Sequence, residues 1–344
     1  MQSKFHKIYV LCPIGTKTGG TELLHQLVYQ INQIAHKQIA HIVYLGDLNE
    51  VKPAPAFKEY IGSDWLTLKD VEDSNENVIV IPETSLMEFN KFKNAKRYIW
   101  WLSVDNFYNT NYFSRLYRQY GLLHTLSGYL KGVFKNRTKC IKKADINMYQ
   151  SYYAKVFLRN NKIPDTKLAY LSDYVNDLYT ADVNKALQHA KKDIILYNPK
   201  KGYEFTSKLI AASPSLCWVP LINLTNDEVK EKLISSKIYV DFGTHPGKDR
   251  FPREAAISGC CILTDKKGAA KFSEDVRIPE EYKFEDKDEN VSRIIDKIKF
   301  CLTNYNDVIK DFGSYREYIL GEKKSFKYDC EKIFFVNCNN KLNI

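Results

Sequence analysis

Residues 7–45 read KIYVLCPIGTKTGGTELLHQLVYQINQIAHKQIAHIVYL. Two apolar runs, 7–12 and 39–45, flank a stretch in which Leu23, Leu24, Leu27, Val28, Ile31, Ile34 and Ala35 recur at steps of three and four. That spacing gathers the seven on one face of a helix, and the flanking runs have the length of buried strands. The opening is therefore a βαβ unit. Working outward, further short apolar runs at 78–81, 98–104, 146–150 and 168–171 alternate with helical patterns, the rhythm of a parallel sheet covered on both faces. A polar stretch at 172–192 interrupts it, after which strands are predicted again at 194–197, 217–222, 238–242 and 261–264. The sequence thus predicts an α/β protein with two doubly wound domains, 1–175 and 176–320. From Asn290 onward the pattern is helical, with Ile294, Ile295, Ile298 and Leu302 as an apolar stripe, and 321–344 is expected to form a terminal element that crosses back.

Bulk composition agrees with two folded domains. The 344 residues exceed the size at which one core usually stops growing, and 44% hydrophobic with 27% charged residues is the globular average. The formal charge of +10 favours an anionic partner without choosing one. No apolar run approaches the roughly 20 residues needed to span a bilayer, and the first residues lead into a strand pattern instead of a signal peptide. The expected location is the cytoplasm. The eight Cys lack the paired spacing of a metal site and read as reduced, packed thiols; no metal and no cofactor is expected.

Three strand-to-helix turns carry the chemistry. The first, PIGTKTGGTE at 13–22, sets Gly19 and Gly20 at a helix start, where backbone N–H groups favour an anion; a tight turn capped by Thr explains it equally well. It is neither GxGxxG nor a Walker loop. The second, YNPKKG at 197–202, offers Asn198 and Lys201 at a strand end, or else an ordinary solvated loop. The third is DFGTHPGKDRFPREAAISGC at 241–260, with Gly243, His245, Gly247, Lys248, Asp249, Arg250 and Glu254 between two buried strands. Its helix is predicted from Pro252 to before Gly259. A loop this polar at the carboxyl edge of a sheet is difficult to explain by packing alone.

The third segment resembles the donor site of retaining GT-B glycosyltransferases of the group 1 type, whose segment is typically E-G-F-G-x-x-x-x-E-A followed by a glycine and a buried strand. Glu254 matches the second Glu of that pattern, and Gly247 one of its glycines. Lys201-Gly202 is similar to the family's preceding basic motif, and Gly19-Gly20-Thr21-Glu22 to its N-domain glycine loop. Pro246 stands where the first Glu would be and Asp249 where a glycine would be, so the contacts to the transferred sugar and the stereochemical outcome are not carried over. The resemblance implies a GT-B fold of two Rossmann-like domains facing a cleft, with a nucleoside diphosphate sugar as co-substrate and a glycan or lipid-linked acceptor. Glu254 would then hold the ribose hydroxyls, and Lys201 and Arg250 the diphosphate. The implied role is hexosyl transfer in bacterial surface polysaccharide synthesis, such as lipopolysaccharide or capsule.

For a general base the candidates are Asp105, after a predicted strand, and His124; helix capping is the plainer role for Asp105. Asp286-Lys287-Asp288 mimics a metal-binding D-x-D but lies in a charged run, which marks a solvated surface. Lys131, Lys135, Arg137, Lys139, Lys142 and Lys143 form a basic segment suited to an anionic membrane, which extends the expected location to the inner face of the cell membrane. A nucleotide-sugar epimerase of the same architecture is the alternative enzyme. A nucleic-acid-binding protein is the alternative class, but no RRM, KH, helix-turn-helix or zinc-finger signature is present, and no nucleic-acid partner is expected.

Overall fold

The computed structural model describes residues 1–15, 17–46, 52–109, 113–130 and 136–336, with side chains for all of these except 109, 113–120, 129 and 136. The chain divides into two compact units, Met1–Asp173 with Lys324–Ile344, and Tyr174–Lys323.

In the first unit the strands are β1 Ile8–Pro13, β2 Ala40–Leu45, β3 Trp65–Thr67, β4 Val78–Pro82, β5 Lys96–Trp101, β6 Ile146–Tyr149 and β7 Leu168–Tyr170. They form one sheet in the order β3-β2-β1-β4-β5-β6-β7, and every pairing is parallel. Strand order reverses between β1 and β4, which is where an open α/β sheet opens a crevice at its carboxyl edge. Ile8, Val10, Leu11 and Cys12 are all fully buried, as a central strand covered by helices on both faces requires. The helix Gly19–Ala35 lays Leu23, Leu24, Leu27, Val28, Ile31 and Ile34 against the sheet. Thr18 caps it reciprocally with Thr21: Thr21 N donates to Thr18 Oγ1 at 3.3 Å and Thr18 N to Thr21 Oγ1 at 3.0 Å.

One sequence expectation needs correction here, and one strand was missed. The run 98–104 is not one strand: β5 ends at Trp101 and Val104 opens the helix Val104–Asn109. Val104 is apolar because it is 1% exposed, not because it is extended. β3 was not foreseen, being three residues at the sheet edge with Trp65 exposed. At the other end of the chain, Ser3 bridges to Phe335, Lys4 N donates to Phe334 O, and the Phe326 ring stacks on Trp100 with centroids 6.5 Å apart. The close of the helix Gly313–Phe334 thereby joins the core of the first unit.

The second unit holds β8 Lys192–Tyr197, β9 Cys217–Pro220, β10 Ser236–Asp241 and β11 Cys261–Thr264, all parallel, in the order β11-β10-β8-β9. Its order reverses between β8 and β10. The helix Val291–Thr303 buries Ile294, Ile295, Ile298 and Leu302, the stripe read from the sequence. The helix after β10 runs Arg250–Ile257 with Asp249 at its N-cap, so it starts two residues before the predicted Pro252. Pro252 sits in the first turn, where its missing N–H leaves no helical bond unmade. Gly259 follows the C-cap at φ +84°, the left-handed closing position that favours glycine. All seven described cysteines are free thiols, and six are buried.

Candidate functional site

The loops leaving β8, β10 and β11 touch backbone to backbone at the carboxyl edge of the four-stranded sheet. A Cβ on Gly202, which has φ +60°, would lie 2.1 Å from Phe242 O; one on Gly243 would lie 2.5 Å from Lys201 Cβ; one on Gly268 would lie 2.0 Å from His245 O. No side chain fits in any of the three contacts, so the glycines fix how closely the loops approach.

Between the first two loops, at the strand-order reversal, lies a cavity of about 320 Å³. Lys200, Lys201, Lys208 and Lys267 line it together with Gly243 and Thr244, against the acids Glu204 and Asp286. The helix Tyr203–Ala212 starts at its wall, and its N-cap Gly202 has no side chain to satisfy the first N–H groups. Four lysines, three of them held by carboxylates, and a helix start make this a place where an anion can bind.

Behind the cavity Lys201, His245 and Asp249 join Asp241 and Asp265 in a connected ionic network. Lys201 Nζ donates to both Asp249 oxygens at 2.9 Å. His245, fully buried, has Nδ1 at 3.0 Å from Asp249 Oδ2 and Nε2 at 3.4 Å from Asp265 Oδ1 and 3.8 Å from Asp241 Oδ1. Burial opposes charging this imidazole, but Asp241, Asp249 and Asp265 outweigh it and raise its pKa to about 9. Burial likewise opposes charge on Asp249, yet His245 at 3.0 Å and the charge of Lys201 hold its carboxyl below the usual range. Asp265 is raised by burial to about 7, with His245 pulling the other way. Ligand atoms of Asp241, His245 and Asp249 lie within 4.8 Å of one another, a spacing that suits a cation. His245 Nε2 also lies 3.4 Å from Asp241 O, and the imidazolium and Lys201 together supply the positive charge that faces these carboxylates.

A second buried set pins the same loop. Glu322 takes Lys248 Nζ at 2.7 Å on Oε1 and Arg253 Nη1 at 2.9 Å on Oε2. Arg253 then reaches back to donate to Lys248 O at 3.0 Å and Asp249 O at 3.2 Å. Lys248 also donates to Tyr318 OH at 3.0 Å.

Of the residues singled out from sequence, Lys201, Asp249 and His245 are therefore in contact, with Gly243 against Lys201, and Asn198 Oδ1 accepts from Lys200 N at 3.0 Å at the end of β8. Gly247 is buried within the loop. Lys248 faces Glu322, and Arg250 Nε lies 3.3 Å from Glu254 Oε1; these three do not line the cavity. Asp286, read as solvated, lines the cavity and pairs with Lys267, while Asp288 pairs with Lys208 at 2.6 Å. Gly19 and Gly20 open the capped helix of the first unit. There Asp105 lies in the first turn of Val104–Asn109 and accepts from Tyr153 OH at 2.8 Å, while Ser103 is the capping residue, taking Asn106 N at 3.0 Å. His124 is exposed on the helix Phe113–Leu130, and no hydrogen bond or ion pair joins it to Asp105 among the described residues.

Three residues went unrecognised. Asp265 directly follows β11 and donates its N–H to the O of Asp241, which ends β10; a polar residue just past a buried strand was readable. Glu322 falls in register with Tyr315, Ile319 and Phe326, a charge at a core position of an apolar stripe. Glu83 directly follows β4, is 2% exposed, and accepts from Leu102 N at 3.0 Å; burial lifts its carboxyl to about 8 against these backbone donors.

No protein-family model and no curated protein matches the chain by sequence. Solved structures do match it in fold. HepE from Anabaena in complex with UDP aligns over 95% of this chain and 98% of that one at 13% identity, TM-score 0.61. The lipopolysaccharide outer core galactosyltransferase WaaB aligns over 94% and 99% at 11% identity, TM-score 0.56. Sucrose-phosphate synthase from Thermosynechococcus elongatus aligns over 96% and 95% at 12% identity, TM-score 0.51. With its two parallel sheets the chain has the GT-B fold of two Rossmann-like domains. Among the described residues no helix is long and apolar enough to cross a membrane.

Proposed function

We propose that the protein is a glycosyltransferase that moves a hexosyl group from a nucleoside diphosphate sugar to a glycan or lipid-linked acceptor. Its place is the synthesis of a bacterial surface polysaccharide, lipopolysaccharide or capsule, at the inner face of the cell membrane. The observation that carries the reading is the lysine-lined cavity at the reversal of β8 and β10, closed by backbone contacts that admit only glycine. On this fold HepE is seen with UDP and with UDP-glucose, and WaaB is a galactosyltransferase.

In this reading Lys200 and Lys201 face the diphosphate, and the start of Tyr203–Ala212 adds backbone donors. As the bond from the sugar C1 to the phosphate oxygen breaks, its electron pair passes to the diphosphate, and fixed ammonium groups stabilise the charge that develops there. Asp249 holds Lys201 in place, and the His245 imidazolium offsets the Asp249 charge so that the lysine is not fully neutralised. Glu254 accepts from the ribose hydroxyls, and Arg250 at 3.3 Å orients its carboxylate. The acceptor oxygen forms the new bond to C1. If configuration is retained, its proton passes to the leaving phosphate and no side-chain base is needed; Asp105 and His124 remain the candidates if configuration is inverted.

A thermal-shift panel of nucleoside diphosphates and their sugars tests the donor assignment. A ligand at a hundred times its dissociation constant should stabilise the protein by about 2.7 kcal/mol. Release of nucleoside diphosphate that depends on added acceptor would then establish transfer, and product analysis separates it from epimerisation. A panel in which nothing shifts the melt would overturn the reading.

A further inference from the structure

Leu122, Leu123, Leu126 and Leu130 are 49%, 81%, 44% and 89% exposed, on one helix of the first unit. The backbone of that helix breaks at Gly121, which has φ +74°, so 122–130 is a separate straight stretch. At about 100° per residue the four leucines fall within an arc of roughly 100°. Thr125, fully buried, marks the side turned to the protein, and His124 lies away from the ridge. Four leucines in one exposed ridge are unlike the singly scattered apolar residues of an ordinary surface.

The charge of the sequence on either side of the ridge says what covers it. From 106 to 144 the chain contains no Asp or Glu and eight Lys or Arg. In the helix Asn136–Lys143 the residues Arg137, Cys140 and Ile141 are buried, while Lys139, Lys142 and Lys143 form the exposed face. Lys167 Nζ bonds to Lys142 O and Ala144 O at 3.0 Å, adding a further cation at the end of that helix. Arg137 therefore drops out of the basic set read from sequence, and Lys131 and Lys135 lie outside the described residues. A second copy of the chain would bring the same positive charge to this part of the first unit.

We infer that the 122–130 ridge inserts its leucines into the interface of an anionic bilayer, with Lys139, Lys142 and Lys143 docking on the headgroups. This rests on the membrane-surface part of the reading above and not on the donor chemistry. Lysines alone would give a contact that salt dissolves, whereas apolar insertion adds one that salt leaves in place.

Co-sedimentation of the full chain tests it, with vesicles of phosphatidylglycerol and phosphatidylcholine in equal parts or of phosphatidylcholine alone, at low and high salt. Wild type should bind the mixed vesicles and retain part of that binding in high salt. Replacing Leu122, Leu123, Leu126 and Leu130 by Ser should lower the salt-resistant part at least tenfold, with nucleotide binding unchanged. Replacing Lys139, Lys142 and Lys143 by Glu should abolish the preference for anionic vesicles. In a second variant, Leu126→Trp, acyl chains carrying bromine should quench emission beyond that of the four native Trp. Binding that is wholly reversed by salt, or a serine variant that binds as wild type, would overturn the insertion. So would a wild type that ignores vesicles and dimerises through the ridge. Loss of nucleotide binding in wild type would instead count against the donor site and leave this inference standing.

Discussion

At the carboxyl edge of the seven-stranded sheet, Glu83 sits buried against backbone N–H groups, and Thr18 and Thr21 cap the helix that follows β1. At the same edge of the four-stranded sheet, Asp241, His245, Asp249, Lys201 and Asp265 form one ionic chain, and Lys248, Arg253 and Glu322 another beside it. The two edges are alike in topology and unlike in how their loops are fixed. In the first unit a neutral cap and a backbone-bound carboxyl suffice. In the second, glycine contacts and buried ion pairs hold three loops rigid around a cationic cavity, the preorganisation that a multiply charged ligand requires.

Glu322 offers the most forceful way to break that contrast. Glu322→Ala leaves Lys248 and Arg253 buried without a carboxylate and should destabilise the protein by about 3 to 5 kcal/mol in denaturant titration. Glu322→Gln keeps the shape and should lose less. Glu83→Gln in the other unit, which keeps an acceptor for the Leu102 amide, should change stability far less than Glu322→Ala.

Glycines at the two edges should differ in the same direction, by a smaller amount. Gly202→Ala forces a side chain into a left-handed residue against Phe242 O and should cost about 1 to 3 kcal/mol. Gly20→Ala meets only Leu102 Cδ1 at 3.7 Å and Thr18 Oγ1 at 3.9 Å, and should be neutral or stabilising by up to about 1 kcal/mol. Equal losses in the two melts would mean that the first edge is as tightly fixed as the second.

The smallest effect is on pH dependence. His245 has its pKa raised to about 9 in the fold, against about 6.5 for an unfolded His. The stability it lends is therefore complete below about pH 6.5 and is lost as pH rises through about 9. Asp265, raised to about 7, loses its contribution as pH rises through 7. Wild-type stability should fall between pH 6.5 and 9, and His245→Gln should flatten the upper part of that fall. A variant curve parallel to wild type would show that His245 is not the imidazolium of the network.

The doubly wound sheets were legible because buried parallel strands are continuous apolar runs, and the strand ends at Pro13, Tyr197 and Asp241 lead into recognisable turns. β3 was hidden by its three-residue length, and the end of β5 by Val104, whose apolar character comes from helix packing. At the site, the segment 241–260 announced its polarity, and Lys201 and Asp249 meet as neighbours of one loop pair. What spacing could not reveal was the sorting of charges: Lys248 turns to Glu322, 74 residues on, and Arg250 to Glu254 one helical turn away. Both choices depend on tertiary packing that no local pattern encodes.

If the edge of the four-stranded sheet binds a nucleoside diphosphate, Lys201 should carry much of the affinity. Calorimetric titration of the common nucleoside diphosphates into wild type and into Lys201→Ala, with the fold of each checked by its melt, addresses it directly. At least one should bind wild type, and the variant should bind it at least tenfold more weakly, a loss of about 1.4 kcal/mol or more. An unchanged dissociation constant in a folded Lys201→Ala variant would contradict it.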